Sequence, residues 1–194
     1  MHCIQTLPEG FREILRIDLQ HDKKAATLVN AGAMLVSVVM AVIGHLFVPI
    51  RSFFSPEEGI AADFLRLSVM VGGVFLYVVL HELTHAAAMK YYGAGKLRFG
   101  FTGLYAFAGS EGDYFDQPAY RVIALAPLVV WTLLLTPGLV LVPRSWFWVL
   151  YFIQIANISG AAGDVYVTLR LCSLPDACWI RDTGVDMTVY RRDT

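Results

Sequence analysis

Residues 77–92 read YVVLHELTHAAAMKYY, and they close an apolar block that begins near Phe64. Inside it stand His81, Glu82 and His85, and the next charged residue is Lys90. A block of this length reads as a helix able to cross about 30 Å of hydrocarbon, which takes roughly 20 residues. Ionisable side chains are expensive in that setting, so a histidine pair flanking a glutamate needs a chemical reason.

Three more blocks share this character. They are about Ala25–Ile50, about Val122–Val142 and about Trp146–Leu171. Pro127 and Pro137 should bend or break the helix of the Val122–Val142 block. Composition agrees, because the 194-residue chain is 57% hydrophobic and only 16% charged. Soluble domains run near 45–50% apolar and about 25% charged. The expected fold is therefore an all-α integral membrane protein with about four transmembrane helices. Residues 1–24 are expected to form a cytosolic arm, 25–172 the membrane domain and 173–194 a cytosolic tail. The arm has no apolar h-region and no small-residue cleavage site, so the first span should do the targeting.

Cationic residues set the expected orientation. Twelve of the 15 lysines and arginines fall on one side of these spans, leaving Arg51, Arg66 and Arg144 on the other. The positive-inside rule then puts both termini and the 93–120 loop in the cytosol, for a chain of the plasma (inner) membrane. Four crossings also require both termini on one side. A net charge of −1 offers no basic face for nucleic acid. The expected partners are the lipid bilayer and a membrane protein or peptide. Cys3, Cys172 and Cys178 fall on the cytosolic side without a Cys-x-x-Cys pair, so they read as reduced thiols.

His-Glu-x-x-His on a helix places two imidazoles one turn apart on one face. Zinc accepts neutral imidazole nitrogens at roughly 2.0–2.1 Å, so one helix can present both ligands. The intervening glutamate is then close enough to move protons for hydrolysis without ligating the metal. Chance would produce this pattern roughly 0.004 times in such a sequence. The plainer reading is a pair of interfacial histidines beside a snorkelling glutamate, but apolar residues lie on both sides of the motif.

A catalytic zinc needs a third protein ligand. His2 and His21 lie in the N-terminal arm and stay open as candidates, while His45 falls about 30 Å from the cytosolic end of its helix. His85 lies about 8 Å from Lys90 along the helix, and Asp164 lies about 9 Å from Arg170. That common depth favours Asp164, the acidic residue inside the Trp146–Leu171 block. A structural pairing of Asp164 with Arg170 would join residues on nearly opposite helix faces.

Four segments carry a family resemblance: LPEGFREI near the start, LHELTHAAAMKYYGAGKLRFGF, ALAPLVV and NISGAAGDVYVTLRL. From about Leu7 to Asp182 the chain resembles a small family of bacterial membrane zincin peptidases. In its motif it is also similar to intramembrane zinc metalloproteases of the site-2-protease type. The resemblance implies His81, His85 and Asp164 as zinc ligands and Glu82 as the acid/base. It also implies a substrate-binding role for the upstream asparagine, which falls on Asn157. Prolines usual before that aspartate are missing here, and Val165 stands where a glycine is usual.

After the motif, Leu97, Phe99 and Phe101 alternate with polar or small residues. This reads as a short cytosolic hairpin or loop with Gly-Ser-Glu-Gly as its turn. Such an edge could hold a substrate as an added strand, with Tyr105 and Phe107 as wall residues. The function expected is an intramembrane zinc metalloprotease acting on membrane-embedded or membrane-adjacent polypeptides. The alternative is a non-proteolytic, zinc-stabilised membrane scaffold, which would need the ligands but not Glu82.

Overall fold

In the computed structural model, which describes residues 2–54, 57–103, 106–175 and 177–192, the apolar blocks fold as helices. These are α1 (Lys23–Phe47), α2 (Ile60–Tyr91), α3 (Gln117–Leu141), α4 (Arg144–Gly160) and α5 (Ala162–Cys172). Among the described residues, α1, α2 and α3 are long and apolar enough to cross a membrane. None of the most apolar window of α1 is buried in the protein, and Leu28, Met34, Leu35, Leu46 and Phe47 are all exposed. An apolar surface this continuous is a liability in water and is at home in hydrocarbon. α3 runs through both Pro127 and Pro137 without ending.

The Trp146–Leu171 block does not form one span. It is interrupted at Ala161, which is fully buried and separates α4 from α5. Gly160 and Gly163 flank that point, and glycine is a poor helix former. Asp164 thereby moves from mid-helix to the first turn of α5.

The all-α expectation is overturned, because the chain is a mixed α/β protein. The strands are β1 (Cys3–Ile4), β2 (Phe11–Ile17), β3 (Lys96–Phe101), β4 (Ala106–Glu111), β5 (Tyr114–Asp116), β6 (Trp179–Asp182) and β7 (Met187–Arg192). Five of them form an antiparallel sheet in the order β1-β5-β6-β7-β2. The expected N-terminal arm and C-terminal tail are therefore sheet strands. Local chemistry explains the C-terminal pair. β6 and β7 are joined by Thr183-Gly184-Val185-Asp186, where Asp182 Oδ1 accepts the Gly184 N–H at 2.7 Å and Asp186 O accepts the Thr183 N–H at 3.1 Å. Asp and Gly at these places are turn formers by mechanism, not merely by frequency. In β7, Met187, Thr188 and Val189 are buried, so this strand takes its place in the core.

Two compact units are distinguished. One comprises residues 1–29, 81–127 and 163–194. Its core joins Phe115, Ile180 and Val189 of the sheet to Met89 of α2, Tyr120 and Ile123 of α3, and Leu171 of α5. Fully burying side chains of this size contributes about 1.5–3 kcal/mol each. Gln117 Nε2 also donates to the Leu171 carbonyl at 2.6 Å, tying the start of α3 to the end of α5. The other unit comprises residues 30–80 and 128–162. Its core is aromatic, built on Phe53, Trp148, Tyr151 and Ile155. Two of its aromatic side chains are bonded internally: Trp148 Nε1–H donates to Val48 O at 3.0 Å, and Tyr151 O–H to Met40 O at 2.8 Å.

β3 and β4 form a separate two-stranded sheet, as the Leu97/Phe99/Phe101 alternation suggests. β3 ends at Phe101 and β4 begins at Ala106, however, so Gly-Ser-Glu-Gly is not the turn between them. Gly109, Ser110 and Glu111 belong to β4, and the turn at Gly112 leads on to β5. Gly109 permits a close approach, since a Cβ there would lie 2.2 Å from the Thr183 carbonyl carbon and 2.4 Å from the Gly184 nitrogen. Backbone cannot yield cheaply, so Gly109→Ala is expected to destabilise by about 1–3 kcal/mol. Gly32→Ala, inside α1 with nothing within 4 Å of the new methyl, should not destabilise. Thermal unfolding of the two variants in detergent checks this, and equal midpoints would refute the packing.

Candidate metal centre

The last turns of α2 carry the motif, and helical spacing puts His81 and His85 on one face. Their rings meet edge to face with centroids 4.9 Å apart. The Nε2 atoms are 3.2 Å from each other. Asp164, from the first turn of α5, completes the group: Oδ2 lies 3.3 Å from His81 Nε2 and Oδ1 lies 3.4 Å from His85 Nε2. Among the described residues this is the one group of three or more His, Cys, Asp or Glu side chains able to share a metal ion.

The distances can be tested against zinc. Tetrahedral ligands at about 2.0–2.1 Å from a metal stand about 3.3–3.4 Å from one another. The 3.2 Å between the two Nε2 atoms is close to such an edge, and the Asp164 carboxylate faces both, one oxygen 3.3 Å from His81 Nε2 and the other 3.4 Å from His85 Nε2. These separations are long for hydrogen bonds between these atoms. Two imidazole lone pairs and a carboxylate turned toward one point also repel one another unless a cation lies between them. The donor set therefore fits zinc with a fourth position left for water or substrate.

Surrounding groups prepare each ligand. His85 Nδ1 lies 3.0 Å from the Ile123 carbonyl of α3. A carbonyl only accepts, so Nδ1 carries the proton and Nε2 presents its lone pair to the centre. Asp164 stands in the first turn of α5, and that end of a helix favours a carboxylate. His85 is 8% exposed, and the side chains of His81 and Asp164 are 12% and 23% exposed. The site is thus sheltered, with one ligand open enough for access.

Glu82 does not join the ligand group. Its Oε2 accepts the Ala108 N–H of β4 at 2.6 Å. Because that N–H serves Glu82, it points away from Phe99, its register partner on β3. The strand after the motif is thereby fastened beside the expected acid/base.

The remaining expected residues fare differently. Asn157 belongs to the other unit, where it accepts from Tyr77 O–H at 2.9 Å and donates to Thr132 Oγ1 at 2.9 Å. Phe107 packs its ring over Gly100 and Gly184. Tyr105 lies outside the described residues. As for the rival third ligands, His2 Nδ1 is 2.8 Å from Asp116, and His21 Nδ1 is 2.7 Å from Asp18. His45 Nδ1 accepts the Ile50 N–H at 3.2 Å. The cysteines are free, and burial with nearby Asp113 pushes the Cys3 thiol pKa up, toward the unreactive form. Sequence reasoning missed the Ile123 carbonyl and the Ala108 N–H. Both are backbone groups, which no residue type announces.

Purified protein is expected to bind about one zinc, with affinity measured against a competing chelator. Alanine at His81, His85 or Asp164 should each weaken binding by more than the roughly 10–100-fold that an outer-shell partner costs. Full affinity in Asp164→Ala would remove that residue from the ligand set.

The family model described as "Putative zincin peptidase" matches residues 74–179, more than half of the chain. No curated protein and no solved structure shows significant similarity to it. The matched segment contains the His81-Glu82-x-x-His85 helix, the β3–β4 hairpin and Asp164. By that match, this chain belongs to the zincin peptidase family so described.

Proposed function

We propose that the chain is an intramembrane zinc metallopeptidase whose ligands are His81, His85 and Asp164 and whose acid/base is Glu82. The observation that carries this reading is the convergence of two imidazole nitrogens, 3.2 Å apart, and a carboxylate with one oxygen 3.3–3.4 Å from each of them, with a glutamate one residue from the first histidine. A zinc ion held there supplies Lewis acidity toward the scissile carbonyl and toward water. The chain's own residues do the rest. Glu82 accepts a proton from the attacking water and returns it to the leaving amine. His85 is held in one tautomer by Ile123, so its geometry does not drift as charge builds up.

The substrate class follows from the surroundings. The motif lies in a helix long and apolar enough to span a bilayer, so membrane-embedded or membrane-adjacent polypeptides are the substrates proposed. β4 pairs with β3 on one side and turns the Ala108 N–H toward Glu82 on the other. An extended segment laid along that edge would place its backbone beside the acid/base.

Topology is part of the same reading. β2 and β7 are neighbours in one sheet, and a sheet edge cannot straddle hydrocarbon. In this reading residues 11–17 and 187–192 share a side of the membrane, with α1, α2 and α3 as the candidate spans. The excess of Lys and Arg assigns that shared side to the cytosol of a plasma (inner) membrane.

Glu82→Gln keeps size and hydrogen bonding but cannot take the proton from water. Zinc should stay bound while peptide hydrolysis falls by about 10²–10⁴-fold. Cleavage of a reporter in proteoliposomes, with zinc measured in the same sample, checks this. Retained zinc with unchanged hydrolysis would contradict the proposal. So would full complementation of a deletion strain by Glu82→Gln when His85→Ala fails, which would make the centre a structural element of a scaffold.

A further inference from the structure

The motif helix is held by two backbone groups, the Ile123 carbonyl on His85 and the Ala108 N–H on Glu82. Both stand next to the hairpin formed by β6 and β7. Tyr120 lies one turn before Ile123 on α3 and is buried, with its hydroxyl donating to Asp182 Oδ2 at 2.5 Å. Asp182 is the last residue of β6, and its other oxygen, Oδ1, accepts the Gly184 N–H at 2.7 Å. Gly184 in turn lies against β4. It has a φ of +81°, and a Cβ there would be 3.1 Å from both the carbonyl carbon and oxygen of Ala108. One carboxylate thus spans the two supports. Burial holds the Asp182 pKa up, against the opposing pull of its hydrogen bonds from Tyr120 and Gly184.

We propose that Asp182 is a positioning residue for the metal centre: through Tyr120 it fixes the α3 turn that orients His85, and through Gly184 it backs the strand that orients Glu82. Residues 180–192 lie beyond the segment matched by the family model, so this support is assigned by the chain's own geometry. The inference rests on the metal-centre reading above, but not on turnover, because its first readout is metal affinity.

Asp182 touches no ligand directly, so its removal acts through geometry. Outer-shell partners of metal ligands typically govern 10–100-fold in affinity. Tyr120→Phe, which deletes one hydroxyl, and Asp182→Ala should each weaken zinc binding by about tenfold, near the low end of that range. Asp182→Asn is the conservative variant. Its amide can accept from Gly184 N–H and donate to the Tyr120 hydroxyl, so affinity should return to within about threefold of wild type. Arg16→Ala is the control. It breaks the Arg16–Asp186 pair, 2.5 Å across the outer part of the same hairpin region, without touching Asp182.

The experiment is zinc affinity by chelator competition on full-length detergent-purified protein, with folding monitored by thermal unfolding. Weakened binding in Tyr120→Phe and Asp182→Ala, recovery in Asp182→Asn and wild-type affinity in Arg16→Ala is the expected result. Wild-type affinity in folded Tyr120→Phe and Asp182→Ala would overturn it. Equal losses in Asp182→Asn and Asp182→Ala would assign the effect to buried charge and overturn positioning. A comparable loss in Arg16→Ala would reduce it to general loosening of the hairpin. If Asp182→Ala does not fold, the Tyr120→Phe and Asp182→Asn pair decides.

Discussion

Two imidazole nitrogens, His81 Nε2 and His85 Nε2, stand 3.2 Å apart, and each has one oxygen of the Asp164 carboxylate 3.3–3.4 Å away in a sheltered setting. That convergence is unfavourable in isolation. Lone pairs repel, and a carboxylate loses hydration that nearby apolar groups cannot replace. A cation reverses the sign of every one of these terms. The fold can therefore be understood as the scaffold that holds the two imidazoles and the carboxylate together against their mutual repulsion.

The first turns of α3 do much of that holding. Gln117 ties to the end of α5, whose start carries Asp164. Tyr120 ties to the β6 strand, and the Ile123 carbonyl holds His85. These residues span the first two turns of α3, which touch the ligand helices and the sheet. Apolar packing of Met89, Phe115, Ile180 and Leu171 around those turns fixes the frame. The geometry of the donor group is thus set by a small α/β core, although the motif itself sits in a helix long and apolar enough to cross a membrane.

The metal group was more legible in the sequence than the fold that supports it. His81, Glu82 and His85 form a contiguous pattern with a chemical meaning, and Asp164 stood out as a carboxylate inside an apolar block. Helical depth alone paired Asp164 with His85. Where that reading fell short was the interruption at Ala161, since weak helix formers show where a helix can break but not that it will. The sheet was missed for a different reason. Its strands come from both ends of the chain, and β1, β5 and β6 are each four residues or shorter. Strands that short leave little periodicity to detect. The C-terminal run did carry a usable signal, an Asp-Thr-Gly turn between two runs rich in β-branched and aromatic residues. Backbone partners such as Ile123 O and Ala108 N–H could not have been read at all.

The most direct test of the central claim is zinc K-edge X-ray absorption on the purified, zinc-loaded protein. The account expects a four-coordinate first shell with two imidazole nitrogens and oxygen donors at about 2.0–2.2 Å and no sulfur. In Asp164→Ala, an oxygen contribution should change while both imidazoles remain. A shell containing sulfur at about 2.3 Å, or one lacking the pair of imidazoles, would contradict the account.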